Sequence, residues 1–457
     1  MPLCRKSLDL HADPLAVARA LADRPGLSLL WSARGGGPSY VASDPIDEVS
    51  ALDPEPSLEL DPALGAAGRA PRWIGVLPYE ACRSLERPRW TRSSDPRPAP
   101  HVDRPLWRRY AAVAKIAGDS VELVGDDAGA VRGLARRVRA GLASARPAPA
   151  KLELVRVESA ARHAARIKQA LSLIAQGDLY QVNLARRFEL AATGHPVNVL
   201  ETLSRRAAAP YAAALCLGAV DVVSTSPELF LALEPDRRVL TAPIKGTRPR
   251  GGSAAEDAAL CRELDADPKE RAELAMILDV ERNDLGRVAR TGSVKLLEPP
   301  HVDTHPSVHH RVALLGAVLG QGLGRRELLA AMLPSGSVTG APKVRAMEVI
   351  FGLEPHRRGL YTGAFGALRQ DGGLSLGMAI RTLTLADGRG HYFAGGGIVA
   401  DSDPAREVEE TLWKALQITG PSGPAGLPSA SGSPPQPSRN WAVSPGSASE
   451  RDWTYGS

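Results

Sequence analysis

Three features of this 457-residue sequence predict an α+β fold of large layered β-sheets with outer helices. Segments with helical apolar spacing come in blocks, with short β-runs in blocks beside them, instead of alternating strand by helix. Neither a GxGxxG nor a GxxxxGK[ST] loop occurs, which argues against a βαβ nucleotide-binding arrangement and against NAD or ATP as cofactor. The length suits a large two-layer unit with a sizeable core, and 44% apolar with 23% charged residues is an ordinary globular composition.

In order along the chain, residues 1–150 read as an N-terminal layer. Short β-like runs such as Leu27-Ser28-Leu29-Leu30-Trp31 and Trp73-Ile74-Gly75-Val76-Leu77 alternate there with Pro-rich connections, and an Arg/Ala-rich helix follows over 127–145. Ala145-Arg146-Pro147-Ala148-Pro149-Ala150 marks a soft boundary. Residues 151–420 then form the larger part. Periodicity predicts helices over 158–176 and 197–207, and strands over 181–189, 213–217, 220–224, 229–234 and 239–242. Helices are expected over 254–285, 308–320, 325–332 and 341–351, strands over 362–369, 374–384 and 390–395, and a last helix over 405–418 that opens at Asp403-Pro404. In the segment 421–457, 21 of 37 residues are Pro, Ser or Gly without apolar periodicity, so it is expected to be a disordered tail.

Several function classes are excluded. No apolar run is long enough to cross a membrane, and the N-terminus lacks the uninterrupted apolar stretch of a secretory signal, so a cytoplasmic protein is expected. Cys4, Cys82, Cys216 and Cys261 stand singly, without a CxxC pair that would suggest zinc or a disulfide framework. The formal charge of +5 and pI near 9.1 are not gathered into a basic stripe, and aromatic residues do not alternate with Lys/Arg, so no nucleic-acid partner is expected.

The candidate chemistry starts at Lys245 in Pro243-Ile244-Lys245-Gly246-Thr247-Arg248-Pro249. Only 9 of 56 basic residues are lysine, and a lysine, unlike an arginine, can serve as a nucleophile when desolvated. Glu273 and Asp279 lie on one helix-period stretch, and Glu407, Glu410 and Lys414 share one face of the final helix at i, i+3 and i+7. Carboxylates from two helices without a His/Cys set suit a hard cation such as Mg2+. Glu228, between a Ser-Pro turn and a β-run, is a candidate general acid where its surroundings are apolar. His309-His310 is expected at the start of a helix and able to orient a substrate. Arg381, flanked by apolar residues in a strand, requires an anionic partner, and Gly395, Gly396 and Gly397 let backbone N–H groups approach a carboxylate closely. Each has a plainer alternative: a solvated loop lysine, surface carboxylates, a turn or capping acid, a structural histidine.

Taken together, these strings resemble the chorismate-utilising enzyme family across about 160–418. The matching segments are Gly177-Asp178-Leu179-Tyr180-Gln181-Val182-Asn183-Leu184, Ser226-Pro227-Glu228, PIKGTRPRG from 243, MILDVERNDLGRV at 276–288, Gly336-Ser337-Val338-Thr339-Gly340-Ala341-Pro342-Lys343, Tyr361-Thr362-Gly363, Ile380-Arg381-Thr382, and AGGGIVADSDP at 394–404 followed by Glu407 to Thr411. The resemblance implies Mg2+ held by Glu273 and Glu410 with Glu407 nearby, Lys245 as nucleophile toward chorismate and Glu228 as acid. It also implies substrate binding by Gln181, Thr247, His310, Tyr361, Arg381, the glycines 395–397 and Lys414. Members that add water to chorismate carry a lysine where this chain has Gln181. Anthranilate synthase large subunits usually have alanine at the position of Lys245, whereas lysine is frequent in aminodeoxychorismate synthase component I. The chain therefore looks like that branch, which implies ammonia supplied by a separate glutamine amidotransferase subunit and a product that leads to para-aminobenzoate and folate. Anthranilate synthase component I and a non-catalytic chorismate-binding relative are the alternatives. In the N-terminal layer, Leu29-Leu30-Trp31-Ser32 departs from the Leu-Leu-Glu-Ser of tryptophan-regulated relatives, which implies no tryptophan inhibition. Val280 replaces a common leucine, apolar for apolar.

Overall fold

In the computed structural model, described for residues 3–419 except 34–36, 85–94, 145, 207 and 306–307, two antiparallel sheets lie face to face between helices. The expected tail at 421–457 falls outside the described residues. The first part of the chain supplies β1 (Cys4–His11), α1 (Pro14–Ala20), β2 (Ser28–Trp31), β3 (Ser39–Ala42), β4 (Asp47–Val49), α2 (Gly65–Gly68), β5 (Pro71–Leu77), β6 (Leu106–Arg109), β7 (Ala112–Ala117), β8 (Ser120–Gly125) and α3 (Ala128–Ser144). The second supplies β9 (Lys151–Val157), α4 (Ala160–Ala175), β10 (Gln181–Thr193), α5 (Pro196–Arg206), β11 (Tyr211–Cys216), β12 (Asp221–Ser226), β13 (Leu229–Leu233), β14 (Arg238–Ala242) and β15 (Ile244–Pro249). It continues through α6 (Ala254–Ala266), α7 (Pro268–Gly286), β16 (Lys295–Thr304), β17 (Val308–Val318), α8 (Arg325–Met332), β18 (Gly340–Ala341) and α9 (Lys343–Leu353). The last elements are β19 (Ala364–Arg369), β20 (Leu374–Met378), β21 (Thr382–Ala386), β22 (Arg389–Ile398) and α10 (Pro404–Thr419).

One sheet runs in the order β1, β8, β7, β3, β2, β11, β12, β21, β22, β10, β18, with β9 also on β10. The other runs β15, β17, β14, β13, β20, β19, β5, β6, β4, with β16 also on β17. Strands from before residue 150 thus enter both sheets. The space between the sheets is filled by Ala42, Ala213 and Val222 from one and Ile74, Val76 and Phe365 from the other. The outer face of the first sheet buries against Val17, Leu134, Leu200 and Ile418 of four helices. The second buries against Leu274 and Leu278 of α7 and Leu328 of α8. Each such fully buried side chain contributes about 1.5–3 kcal/mol.

Four sequence expectations are corrected. Residues 308–320, read as a helix, form the strand β17, which pairs with β14 and β15 in succession along one edge and with β16 along the other. Both faces of β17 are covered, so its apolar run has no alternation by which a strand is recognised. The single helix expected over 254–285 is two helices. Asp267 breaks it by accepting from the backbone N–H of Lys269 at 2.9 Å and of Glu270 at 3.2 Å, with Pro268 at the first turn. The Lys245 segment is an edge strand, not a loop, and β16 had no sequence signal through Pro299-Pro300. The strand expected over 374–384 is split into β20 and β21, and Arg381 sits in the break at φ +49.

Candidate active site

The bulge in β15 sets the position of Lys245. Lys245 pairs with Arg311 and Thr247 with His310, so Gly246 is the extra residue, and its φ of +78 is one that an L side chain rarely adopts. A Cβ there would also stand 2.7 Å from Leu264 of α6. Lys245 is half-buried, and its Nζ donates to the Ser337 carbonyl at 3.0 Å. One pair along, the exposed Thr247 bonds across the strands with Nδ1 of the buried His310 at 2.9 Å. His310 therefore faces the candidate site from a strand and not from a helix start.

Glu228 stands between β12 and β13, directly before the latter, and is 4% exposed. Its Oε1 accepts from Ser337 Oγ at 2.7 Å. Burial pushes its carboxyl up to about 8; the Ser337 hydrogen bond opposes that, Glu281 adds to it, and the charges of Lys245 and Arg381 pull it down. Lys245, Glu228 and Arg381, spread over 153 sequence positions in three segments, thus act on one another in space. Arg381 has no carboxylate at ion-pair distance among the described residues; the carboxyl that feels its charge is Glu228. A non-glycine residue held at positive φ in a break between two strands carries strain, which the surrounding sheet must hold in place.

The glycine run on β22 lies between this group and the acidic helices. A Cβ on Gly396 would meet Glu407 Oε2 at 2.8 Å and both carboxylate oxygens of Glu410 at 3.8 Å. On Gly397 it would meet Gln181 Nε2 at 2.0 Å and Glu273 Oε2 at 3.5 Å. On Gly395 it would meet the Leu184 carbonyl at 2.5 Å and the Tyr361 hydroxyl at 3.0 Å. The missing side chains make the room into which Gln181, Tyr361 and three carboxylates crowd. The pairing of β21 with β22 stops at Tyr392, so along these glycines only the β10 edge is engaged in a ladder. Backbone N–H groups that point to the β10 edge are therefore used in the ladder, and only the opposite edge of these glycines is without one.

Helices α7 and α10, which sequence spacing could not bring together, do meet. Lys269 Nζ lies 3.9 Å from Glu273 Oε1 and 3.5 Å from Glu407 Oε1, and Lys414 Nζ lies 2.6 Å from Glu410 Oε1 and 2.8 Å from the Gly395 carbonyl. Ser402 Oγ donates to Glu407 at 2.7 Å. Burial raises the Glu273 carboxyl, against the pull of Lys245 and Lys269; Lys414 lowers that of Glu410. Among the described residues no three His, Cys, Asp or Glu side chains are drawn together closely enough to enclose a metal ion. The donors nevertheless fit a hard divalent cation: all are carboxylate oxygens, and Glu273, Glu407 and Glu410 border one cleared strip of β22. Asp279, considered with Glu273, is an exposed residue paired with Arg282 at 3.7 Å and takes no part.

Tyr361 is buried, stacked on Phe393 at 5.3 Å and 15°, with the Arg358 guanidinium 5.5 Å from its ring. Arg358, not singled out in the sequence, donates to Glu354 at 2.7 Å and to the carbonyls of Asn183 at 2.8 Å and Val338 at 3.0 Å. It ties the Gln181 strand to the Ser337 segment. Ser337 and Lys269 were likewise not singled out. The serine sat within a matched motif, but nothing in a local pattern reports a contact across 109 positions.

A family profile described as chorismate binding enzyme matches residues 28–420. The chain belongs to the chorismate binding enzyme family. It is 38% identical over 365 residues to the Haloarcula marismortui protein named anthranilate synthase component 1 1, covering 76% of this chain and 74% of that one. It is 47% identical over 252 residues to anthranilate synthase component 1 of Thermus thermophilus, with 55% and 54% covered. To aminodeoxychorismate synthase component 1 of Klebsiella aerogenes it is 44% identical over 253 residues, with 55% and 56% covered. The match thus spans little more than half the length of most of these relatives. Among solved structures, anthranilate synthase component I from Streptococcus pneumoniae superposes with a TM-score of 0.69 at 26% identity, covering 92% of both chains. The menaquinone-specific isochorismate synthase MenF of Escherichia coli shares the fold, with a TM-score of 0.72 at 21% identity.

Proposed function

We propose that this chain is an aminodeoxychorismate synthase component I, converting chorismate and ammonia to 4-amino-4-deoxychorismate. The observation that carries the reading is an amine, Lys245, held on the Ser337 carbonyl at 3.0 Å, while the hydroxyl of the same serine holds the buried acid Glu228 at 2.7 Å. At position 181, where water-adding members of the family carry a lysine base, stands a buried amide, which cannot deprotonate water. The Lys245 amine adds to C2 of the ring, the double bonds shift, and the C4 hydroxyl departs as water with the proton of Glu228. Ammonia then adds at C4 and yields its extra proton to the Glu228 carboxylate; the double bonds shift back and C2 releases Lys245. Atoms and charge balance, and the enolpyruvyl group stays on the ring.

Glu273 and Glu410, with Glu407 behind them, would hold Mg2+, which when bound neutralises the ring carboxylate and draws electron density from the diene. Lys414 supports the same end of the substrate. Arg381, Tyr361, Thr247 with His310, and the open edge of Gly395 to Gly397 hold the enolpyruvyl side. Component 1 in the relatives' names supports a partner component, and we assign to it the role of a glutamine amidotransferase that supplies the ammonia. Among the described residues no helix is long and apolar enough to cross a membrane, and we place the enzyme in the cytoplasm, in the folate branch.

The second reading is anthranilate synthase component I, supported by the names of the Haloarcula and Thermus relatives. It differs in the ring position of the amine and in the loss of pyruvate. Purified protein with chorismate, Mg2+ and ammonium decides: a product that retains enolpyruvate and carries the amine at C4 supports the first reading, and anthranilate with free pyruvate overturns it.

A further inference from the structure

Behind Glu228 lies a second buried carboxyl for which the reaction above has no use. Glu281, on α7, is 1% exposed; its Oε1 accepts from Ser335 Oγ at 2.7 Å and its Oε2 from Thr241 Oγ1 at 3.0 Å. Ser335 Oγ is 3.1 Å from Ser337 Oγ, which is 2.7 Å from Glu228 Oε1. Two serine hydroxyls therefore join two carboxyl groups through three consecutive hydrogen-bond gaps. Both serines are also buried, at 1% and 4% exposure, so water does not compete along the line.

Counting protons shows what such a line requires. Each serine hydroxyl carries one proton, so two protons serve three gaps. With both carboxyls ionised, the serine oxygens face each other with no proton between them, and two negative charges lie in a buried space. One further proton fills every gap, and it sits on either end: on Glu281, with the hydroxyls pointing toward Glu228, or on Glu228, with the hydroxyls reversed. We infer that Glu228 and Glu281 share a single proton through Ser337 and Ser335, and that Glu281 is the positioning residue that keeps the acid supplied with it. Transfer leaves nothing unbalanced. Glu281 gives its proton to Ser335 Oγ, Ser335 gives its own to Ser337 Oγ, Ser337 gives its own to Glu228, and Glu281 remains as carboxylate.

The surrounding charges agree. Burial pushes Glu281 up to about 7 and Glu228 to about 8, and Glu281 itself raises Glu228. Facing Glu228 are Lys245 from β15 and Arg381 from the break after β20, both of which favour its ionised form. Facing Glu281 are Asp284 on its own helix and Lys343 from α9, which bind each other at 2.8 Å. The cations lie at the two ends, and the line between the carboxyls holds the two hydroxyls, with the Ser337 backbone N–H donating to Ser335 Oγ at 3.0 Å from the side.

The functional meaning rests on the reading of Glu228 as the acid; the shared proton does not. The test is a pH titration of protein labelled with 13C at the glutamate side-chain carboxyls, with the two resonances assigned by E228Q and E281Q. In E281Q the Glu228 midpoint is expected to fall by about one pH unit or more, and in E228Q the Glu281 midpoint by the same amount, because coupling between two sites is reciprocal. Ser337→Ala keeps both carboxyls and cuts the line, so the spacing between the two midpoints narrows; it also serves if E281Q fails to fold. Midpoints indifferent to the other carboxyl, or a spacing unchanged in S337A, overturn the inference. The pH profile of kcat separates it from the reaction assigned above. In E281Q the basic limb moves to lower pH with the Glu228 midpoint, whereas coupled midpoints with an unmoved limb leave the shared proton standing and remove Glu228 as the acid.

Discussion

At the scale of single residues, the proposed reaction asks opposite things of two groups. Lys245 must add to a ring carbon, which an ammonium-bearing chain can do after losing a proton and a guanidinium cannot. Lys245→Arg is therefore expected to be as inactive as Lys245→Ala, each losing product formation by a factor on the order of 10³ or more. Chromatography of the products with mass detection checks it, and an arginine variant with most of its activity would reduce Lys245 to an electrostatic role. Glu228 must hold a proton. Its carboxyl is raised to about 8, so the acid form is present below that value and is lost as pH rises through it. The rate at saturating chorismate should decline above about 8 as the acid form is lost; a decline centred near the ordinary carboxyl value would contradict the buried acid.

At the scale of elements, α10 brings Glu407, Glu410 and Lys414 to the glycine strip of β22, and the helix is anchored apart from these groups by Ala415 and Ile418 in the core. Glu410→Gln should therefore leave the melting temperature nearly unchanged and raise the Mg2+ concentration for half-maximal activity by about tenfold or more, as loss of one charged ligand predicts. An unchanged Mg2+ dependence in the folded variant would remove Glu410 from the cation's ligands. The elements also show what a sequence can and cannot report. Helix faces and motif order picked out side chains that the fold brings close together, because the i, i+3, i+7 spacing on α10 and the strings around Glu228 and Lys245 are local. The buried strand β17 was misread because alternation vanishes when both faces are covered. The edge strand β15 looked like a loop because its glycine and prolines are bulge and edge residues. Lys269 between Glu273 and Glu407, and Ser337 against Glu228, join distant segments and leave no local trace.

At the scale of the whole molecule, the N-terminal strands complete both sheets and form a cavity of about 180 Å³ lined by Trp31, Tyr40 and Phe365 among others. By the sequence resemblance, Trp31 takes the place of a carboxylate in tryptophan-regulated members of the family. Millimolar tryptophan should then neither slow turnover nor raise the melting temperature; a clear thermal shift would show that the cavity accepts it in another way. Global stability should also carry the mark of the buried acids. Glu228 and Glu281 bind protons more tightly folded than unfolded, so their contribution is complete below about 4.5 and is lost as pH rises toward about 7 for Glu281 and about 8 for Glu228. Thermal denaturation of E281Q beside the parent protein tests the sign: the difference should move in favour of the variant between pH 5 and 7.

The cleared strip at Gly395 to Gly397 also limits how this scaffold can acquire new chemistry. Three adjacent positions carry no side chain, and a Cβ at any of them would come within 2.0 to 2.8 Å of a backbone carbonyl, an amide or a carboxylate. At Gly395 the obstacle is backbone, which cannot swing aside; at Gly396 and Gly397 it is the tip of Glu407 or Gln181, so a substitution there displaces another residue of the candidate site. On the reading proposed above, a change of reaction is written more directly at the neighbouring positions that hold side chains, above all 181 and 245, where exchanging an amide, an amine or a methyl group alters the nucleophile on offer and leaves the glycine strand as it is.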